Sequence, residues 1–100
     1  MAIDVVWQNE RGGELARYAG EPITFALITC AKSNSTCLEF VDPYGDTTFN
    51  VKQVDALKSE LRQLLEDDID ASAALQAKSL LEFIADIQKR THLYLKFIGD

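Results

Sequence analysis

Apolar and polar positions alternate at the start of the chain, and this pattern predicts a β-hairpin. Ile3, Val5 and Trp7 share one face of the first strand and are expected to lie in the core. The segment 9–13 contains a Gly-Gly pair and predicts a turn, because glycine adopts the positive φ angles that tight hairpins require. Residues 14–18 then form the returning strand.

A second hairpin is predicted around the string Asp-Pro-Tyr-Gly-Asp at 42–46. Residues 37–41 read as its first strand, with Leu38 and Phe40 on one face. Aspartate bonds its own downstream backbone, proline presets φ and glycine tolerates a left-handed conformation, so 42–46 predicts a turn. Residues 47–49 complete the hairpin.

Helical spacing of apolar residues predicts two long helices in the second half of the chain. Asn50 is a good N-cap residue, and Gln53 three positions later completes a capping box. The first helix is expected to end near Leu65 or Glu66, because the acidic run that follows is unfavourable at a helix C-terminus. The second helix is expected to begin near Asp70, whose side chain would cap it.

Two shorter segments complete the pattern. Residues 93–98 switch to a period of two and are apolar on both sides, which predicts a central strand. In residues 22–31, Pro22 suits the first position of a helix, whereas the β-branched and aromatic residues favour a strand. We predict a short helix there, and a strand stays the alternative.

Strands and helices are segregated along the chain, which predicts an α+β fold with an antiparallel sheet. We expect one domain over residues 1–100, with about five strands from two hairpins and a C-terminal strand. The two long helices should pack on one face of this sheet. The other face would be solvated or available to a partner.

Acidic residues outnumber basic ones by 16 to 10, for a net charge of −6, and this limits the partners. Nucleic-acid binders need basic surfaces to neutralise phosphates, so no nucleic acid is expected. No apolar stretch is long enough to span a bilayer, and an acidic surface is repelled by anionic lipids. The opening lacks the basic segment of a signal peptide, so we expect a cytoplasmic protein. A basic protein is the partner that this charge favours.

The two cysteines, Cys30 and Cys37, are predicted to be buried thiols, although a disulfide between them stays open. Together with His92, the only histidine, they cannot form a four-ligand zinc site without carboxylates. We therefore expect no metal and no cofactor.

Two acidic groups are candidate interaction sites. Asp42, Tyr44 and Asp46 form the densest polar cluster, which is either a turn stabilised by aspartate or a site where Tyr44 anchors a partner. A cation site or a pair of acid/base carboxylates is the other functional alternative, although the spacing does not match a calcium loop. The junction between the long helices could dock a basic partner or simply be solvated. Its acidic residues are Glu66, Asp67, Asp68 and Asp70.

His92, Tyr94 and Cys37 are the candidates for a pocket. His92 is the first choice for a general base, and a Cys37–His92 pair could form an activated thiolate. No third residue stands at a spacing that would orient them. The alternative for His92 is a position at a helix C-terminus, where it interacts with the helix dipole.

Three strings, 3–7, 40–47 and 96–100, resemble those of a family of small uncharacterised bacterial proteins. The resemblance extends over most of the chain. It implies a single-domain bacterial protein, and it assigns no activity and no site residues.

Two hypotheses about function follow from these observations. The first is a non-catalytic acidic protein-binding module of the immunity, antitoxin or regulatory kind, and it is favoured because common catalytic motifs are missing from the sequence. The alternative is a small-molecule or metal-binding protein, enzymes included, with a pocket near the edge between sheet and helices. A homodimer through the uncovered sheet face is compatible with either.

Overall fold

The structure is a computed structural model that describes residues 3–31, 37–67, 69–86 and 92–99. Four strands, three α-helices and one short 3-10 helix are present in these ranges. In chain order they are β1 (Asp4–Gln8), β2 (Glu14–Arg17), α1 (Phe25–Ala31), the 3-10 helix (Leu38–Phe40), β3 (Asp46–Asn50), α2 (Val51–Glu66), α3 (Ala71–Asp86) and β4 (Tyr94–Ile98).

The four strands form one antiparallel sheet in the order β2-β1-β4-β3. The predicted α+β class is therefore confirmed, and so is the central position of the last strand. Val5 lies opposite Phe97, and Leu95 lies between Trp7 and Phe49, so these side chains share one face. They belong to one apolar core with residues of α2 and α3, which pack on that face.

The predicted strand at 37–41 is wrong, so the sheet has four strands among the described residues and not about five. The segment forms a 3-10 helix because a long-range contact takes up its backbone donors. The Glu60 carboxylate on α2 accepts the N–H groups of Cys37 (2.9 Å) and Leu38 (3.1 Å). Phe40, expected beside Leu38, is instead 70% exposed. Strand β3 consequently pairs with β4.

The short helix predicted within 22–31 is confirmed, but it begins at Phe25 and not at Pro22. Ile23 instead forms an isolated antiparallel bridge with Ile3. Thr24 precedes the helix, and its Oγ1 accepts the N–H of Ala26. A helix that began at Pro22 would include Ile23 and would prevent its bridge to Ile3.

The predicted helix boundaries in the second half are confirmed. Asn50 and Gln53 form a reciprocal capping box, with both backbone-to-side-chain bonds at 2.9 Å. Helix α2 ends at Glu66, as the acidic run predicts. Asp70 caps α3, because its Oδ2 accepts the N–H of Ser72 at 3.0 Å. These ends form where the local sequence supplies the hydrogen-bond acceptors.

No disulfide joins the two cysteines. Cys30 is half-buried on α1, and Cys37 is buried with its thiol 3.4 Å from the carbonyl of Gln53. The expectation of a buried thiol is therefore met in full only by Cys37. The polar residues 32–36 between the cysteines lie outside the described residues.

Replacing Asn50 with alanine should lower the free energy of unfolding by about 1 kcal/mol, because an N-cap acceptor is lost. Asn50→Asp keeps the acceptor and serves as the control. Urea denaturation monitored by circular dichroism measures both variants. Equal destabilisation by alanine and aspartate would contradict the role of the capping box.

Candidate interaction surface

The turn at 42–46 is held by hydrogen bonds from its own aspartate. Asp42 Oδ1 accepts the N–H of Tyr44 at 2.9 Å, and the Asp42 N–H donates to Thr47 Oγ1 at 3.0 Å. The N–H of Gly45 donates to the Asp42 carbonyl at 3.3 Å. Asp42 thus stabilises the turn that presents Tyr44, which is the structural role expected for an aspartate at this position.

The end of β4 lies directly against this turn. The N–H of Gly99 donates to the carbonyl of Gly45 at 2.7 Å. A Cβ added to Gly99 would lie 2.6 Å from the backbone of Pro43, so this close approach requires glycine. Lys96 Nζ on the same strand lies 3.3 Å from Asp46. Two of the distinctive sequence strings therefore meet in space and fix the position of Tyr44.

Two exposed aromatic side chains border a small groove beside the turn. Tyr44 is 68% exposed and Phe25, the first residue of α1, is 47% exposed. Together with Ile3 and Pro43 they line a groove of about 30 Å³, named here the aromatic groove. Phe40 adds a third exposed ring on the 3-10 helix, which contacts α1.

Sequence reasoning singled out Tyr44 but missed Phe25 and Phe40. No clean period marked residues 22–31, so nothing in the pattern showed that Phe25 faces outward. Phe40 was expected on the same strand face as Leu38, because residues 37–41 have the pattern of a strand. The assignment of a helix to this segment could have indicated that Phe25 faces outward, because Leu27 and Ile28 occupy the buried side of α1.

The chain around the aromatic groove is acidic. Between Tyr18 and Val51 the sequence holds four carboxylates and one base, Lys32, which lies outside the described residues. All four carboxylates are on exposed residues, and Asp46 is the one that pairs with Lys96. The four residues are Glu21, Glu39, Asp42 and Asp46.

The second acidic group lies at the junction of α2 and α3. Glu66, Asp67 and Asp70 are exposed, and Asp68 lies outside the described residues. Asp70 is engaged as the cap of α3, and Asp67 Oδ1 is 3.3 Å from Gln63 Nε2. No exposed large apolar side chain except Leu65 occurs between 60 and 70 in the described part of this segment. The junction therefore offers charge and one apolar contact.

The three pocket candidates have different partners and do not form one site in the described structure. His92 is exposed, and its Nδ1 lies 3.5 Å from Glu10 in the β1–β2 turn. Tyr94 lies on the sheet face opposite Leu95 and the core. Cys37 is buried against α2. In the described ranges, no group of three or more histidine, cysteine or acidic residues could hold a metal ion.

A separate cavity of about 140 Å³ lies between the sheet and the long helices. Trp7 lines it and is buried, as predicted for a core residue. The indole N–H of Trp7 has no hydrogen-bond partner among the described residues, which is unusual for a buried donor. The other lining residues are Val51, Val54, Lys58, Ile84, Ala85 and Leu93.

An open depression of about 410 Å³ surrounds Tyr18 and the loop that follows β2. The Tyr18 hydroxyl is hydrogen-bonded to the carbonyl of Glu21 and, at 2.7 Å, to Ser79 Oγ on α3. The Glu21 N–H also donates to Ser79 Oγ at 3.0 Å. The ring of Tyr18 packs edge-on against Phe83. Ser79 thus fastens the loop to α3, and burial raises the pKa of Tyr18.

Comparison with protein-family models, with curated proteins and with solved structures finds no match to this chain. The resemblance to small bacterial proteins therefore stays a prediction. Among the described residues, no helix has the length and apolar character needed to cross a membrane.

The raised pKa of Tyr18 predicts a pH dependence of stability. The native state favours the neutral phenol, whereas the unfolded chain ionises near the ordinary value of about 10. The stabilising contribution is therefore complete below pH 10 and is lost as the pH rises through the raised pKa. Subtracting the phenolate absorbance titration of Tyr18→Phe from that of the wild type should reveal a midpoint above 10.

The same subtraction in concentrated urea is the control, because unfolding exposes the phenol. Its midpoint should return to the ordinary value. A native midpoint at or below 10 would contradict burial of Tyr18 as the dominant effect.

Proposed function

We propose that the chain is a non-catalytic, acidic protein-binding module whose partner is a basic protein. The observation that supports this proposal best is the pair of exposed rings, Phe25 and Tyr44, in an acidic part of the chain. Protein interfaces concentrate their binding energy in aromatic residues that become buried on association. Isolated surface apolar residues are common, but two rings that share a groove form a contiguous patch.

The energy available from these rings is sufficient for an anchor. An aromatic side chain can bury about 150 to 250 Å². Phe25 is 47% exposed and Tyr44 is 68% exposed, so a partner could remove on the order of 100 Å² per side chain. At about 25 cal/mol per Å² this contributes about 2.5 kcal/mol per ring before the costs of association.

The net charge of −6 supports a basic partner over a neutral or acidic one. Complementary charge accelerates encounter and rejects partners of like charge. Small acidic proteins that cover a basic surface include immunity proteins, antitoxins and regulators, and we place the chain in this broad group by its size and charge. The rings would then supply the contacts that charge alone cannot.

Affinity purification of the tagged wild-type chain from a lysate of its own organism tests the proposal. A near-stoichiometric basic protein should be retained at low salt. Its binding should weaken at about 0.5 M NaCl, where the Debye length falls to a few ångströms and charge attraction is screened. With the partner purified, the association rate should fall at least about tenfold over the same salt range. Absence of a partner, or a partner whose association is insensitive to salt, would contradict the proposal.

The Trp7 cavity favours a second candidate function, binding of a small molecule. The indole N–H of Trp7 lies beside a cavity and has no partner in the described part of the chain, so a ligand with an acceptor atom could satisfy it. The volume of about 140 Å³ is below the roughly 300 Å³ of ordinary ligand pockets, so only a compact ligand would fit.

Trp7 is the only tryptophan in the chain and serves as a built-in fluorescent reporter of the cavity. A compound that binds there should raise the melting temperature and change the Trp7 emission. Ala85→Phe fills the lining and should abolish both effects, whereas Ala56→Phe, on an exposed position of α2 outside the cavity, should preserve them. A screen in which Ala85→Phe responds like the wild type would exclude the cavity as the site.

A further inference from the structure

We infer that the aromatic groove receives an aliphatic side chain of the partner, flanked in the partner's sequence by lysine or arginine. This inference rests on the proposed function, since it takes the partner to be a basic protein. It adds the location of the contact and the chemistry of the segment that binds there.

The size of the groove selects an aliphatic side chain over an aromatic one. Its volume is about 30 Å³, whereas one water molecule occupies about 10 to 15 Å³ by the same measure. The groove therefore has room for about two groups the size of a water molecule, which suits the branched end of leucine, isoleucine or valine better than an aromatic ring. Ile3 is buried and lies at its base, while Phe25 and Tyr44 are exposed and form its walls.

The backbone beneath both walls is held in place before any partner binds. Tyr44 lies on the turn that Asp42 and Gly99 fix through hydrogen bonds. Phe25 follows Thr24, whose N–H and Oγ1 are both bonded, each at 2.9 Å, to the buried side chain of Gln76 on α3. A preformed groove lowers the ordering cost of association, so a short peptide segment can bind there.

Charge determines which residues can flank the inserted side chain. The sequence between Tyr18 and Val51 holds four carboxylates and one base, Lys32, and Lys96 pairs with only one of the four, Asp46. Lysine or arginine next to the inserted residue would gain favourable electrostatic energy, and glutamate or aspartate there would be repelled. The same excess of acid disfavours a second copy of this chain as the occupant, because its net charge is −6.

Titration of isotope-labelled protein with capped pentapeptides, followed by NMR amide shifts, tests the inference. The probe is Lys-Lys-Leu-Lys-Lys, compared with peptides in which glycine or tryptophan replaces leucine and with Glu-Glu-Leu-Glu-Glu. The amides of Ile3, Phe25 and Tyr44 should shift with the leucine peptide, at an affinity at least about tenfold above each comparison peptide.

Tyr44→Ala and Phe25→Ala should each weaken the leucine peptide about tenfold or more, because each removes one wall of the groove. Leu75→Ala is the matched control, since Leu75 is 57% exposed on α3 and does not line the groove. It should leave the affinity unchanged. The amide spectra of all three variants establish whether each remains folded.

Three results would overturn the inference. These are an absence of peptide binding, shifts confined to the junction near Glu66 and Asp70, and equal affinity for the wild type and Tyr44→Ala. The proposed function fails separately, when no basic protein copurifies with the wild type. A basic partner that binds Tyr44→Ala and Phe25→Ala as tightly as the wild type would preserve the proposed function and exclude the groove.

Discussion

The pairing of β4 with both β1 and β3 is the interaction on which the rest of the structure depends. It joins the last strand of the chain to two strands from the first half and completes the face against which α2 and α3 pack. Phe97 is fully buried at the centre of that face and contacts Phe49 edge-on. Gly99, which directly follows this strand, donates its N–H to Gly45 in the 42–46 turn, so sheet formation also positions the backbone of Tyr44.

The parts of the fold that could be predicted from the sequence are those with local causes. The capping box of α2, the Asp70 cap of α3 and the turn stabilised by Asp42 each involve residues within a few positions of one another. The centrality of β4 was also predictable, because a strand that is apolar on both sides is usually flanked by other strands and does not lie at the edge of a sheet.

The parts that could not be predicted have long-range causes. The 37–41 segment has the alternation of a strand, yet Glu60 takes its backbone donors from 22 residues further along the chain. That contact forms only because α2 lies beside this segment, and the local sequence does not determine the position of α2. The aromatic groove was missed for the same reason, since Ile3, Phe25 and Tyr44 come from three separated segments. Of its four lining residues, sequence reasoning had offered only Tyr44 as an interaction residue.

The structure also shows why the acidic residues alone do not define the candidate site. Asp42 stabilises a turn, Asp70 caps α3, and Glu60 holds the 3-10 helix. Each of these carboxylates therefore has a structural role within the chain. Removing one of them would change local structure together with charge. In the proposed function, their charge acts at long range to attract a basic partner. That proposal places specificity in groups without such a structural role. The exposed rings of Phe25 and Tyr44 meet this requirement, because truncating them leaves the hydrogen-bonded backbone beneath intact.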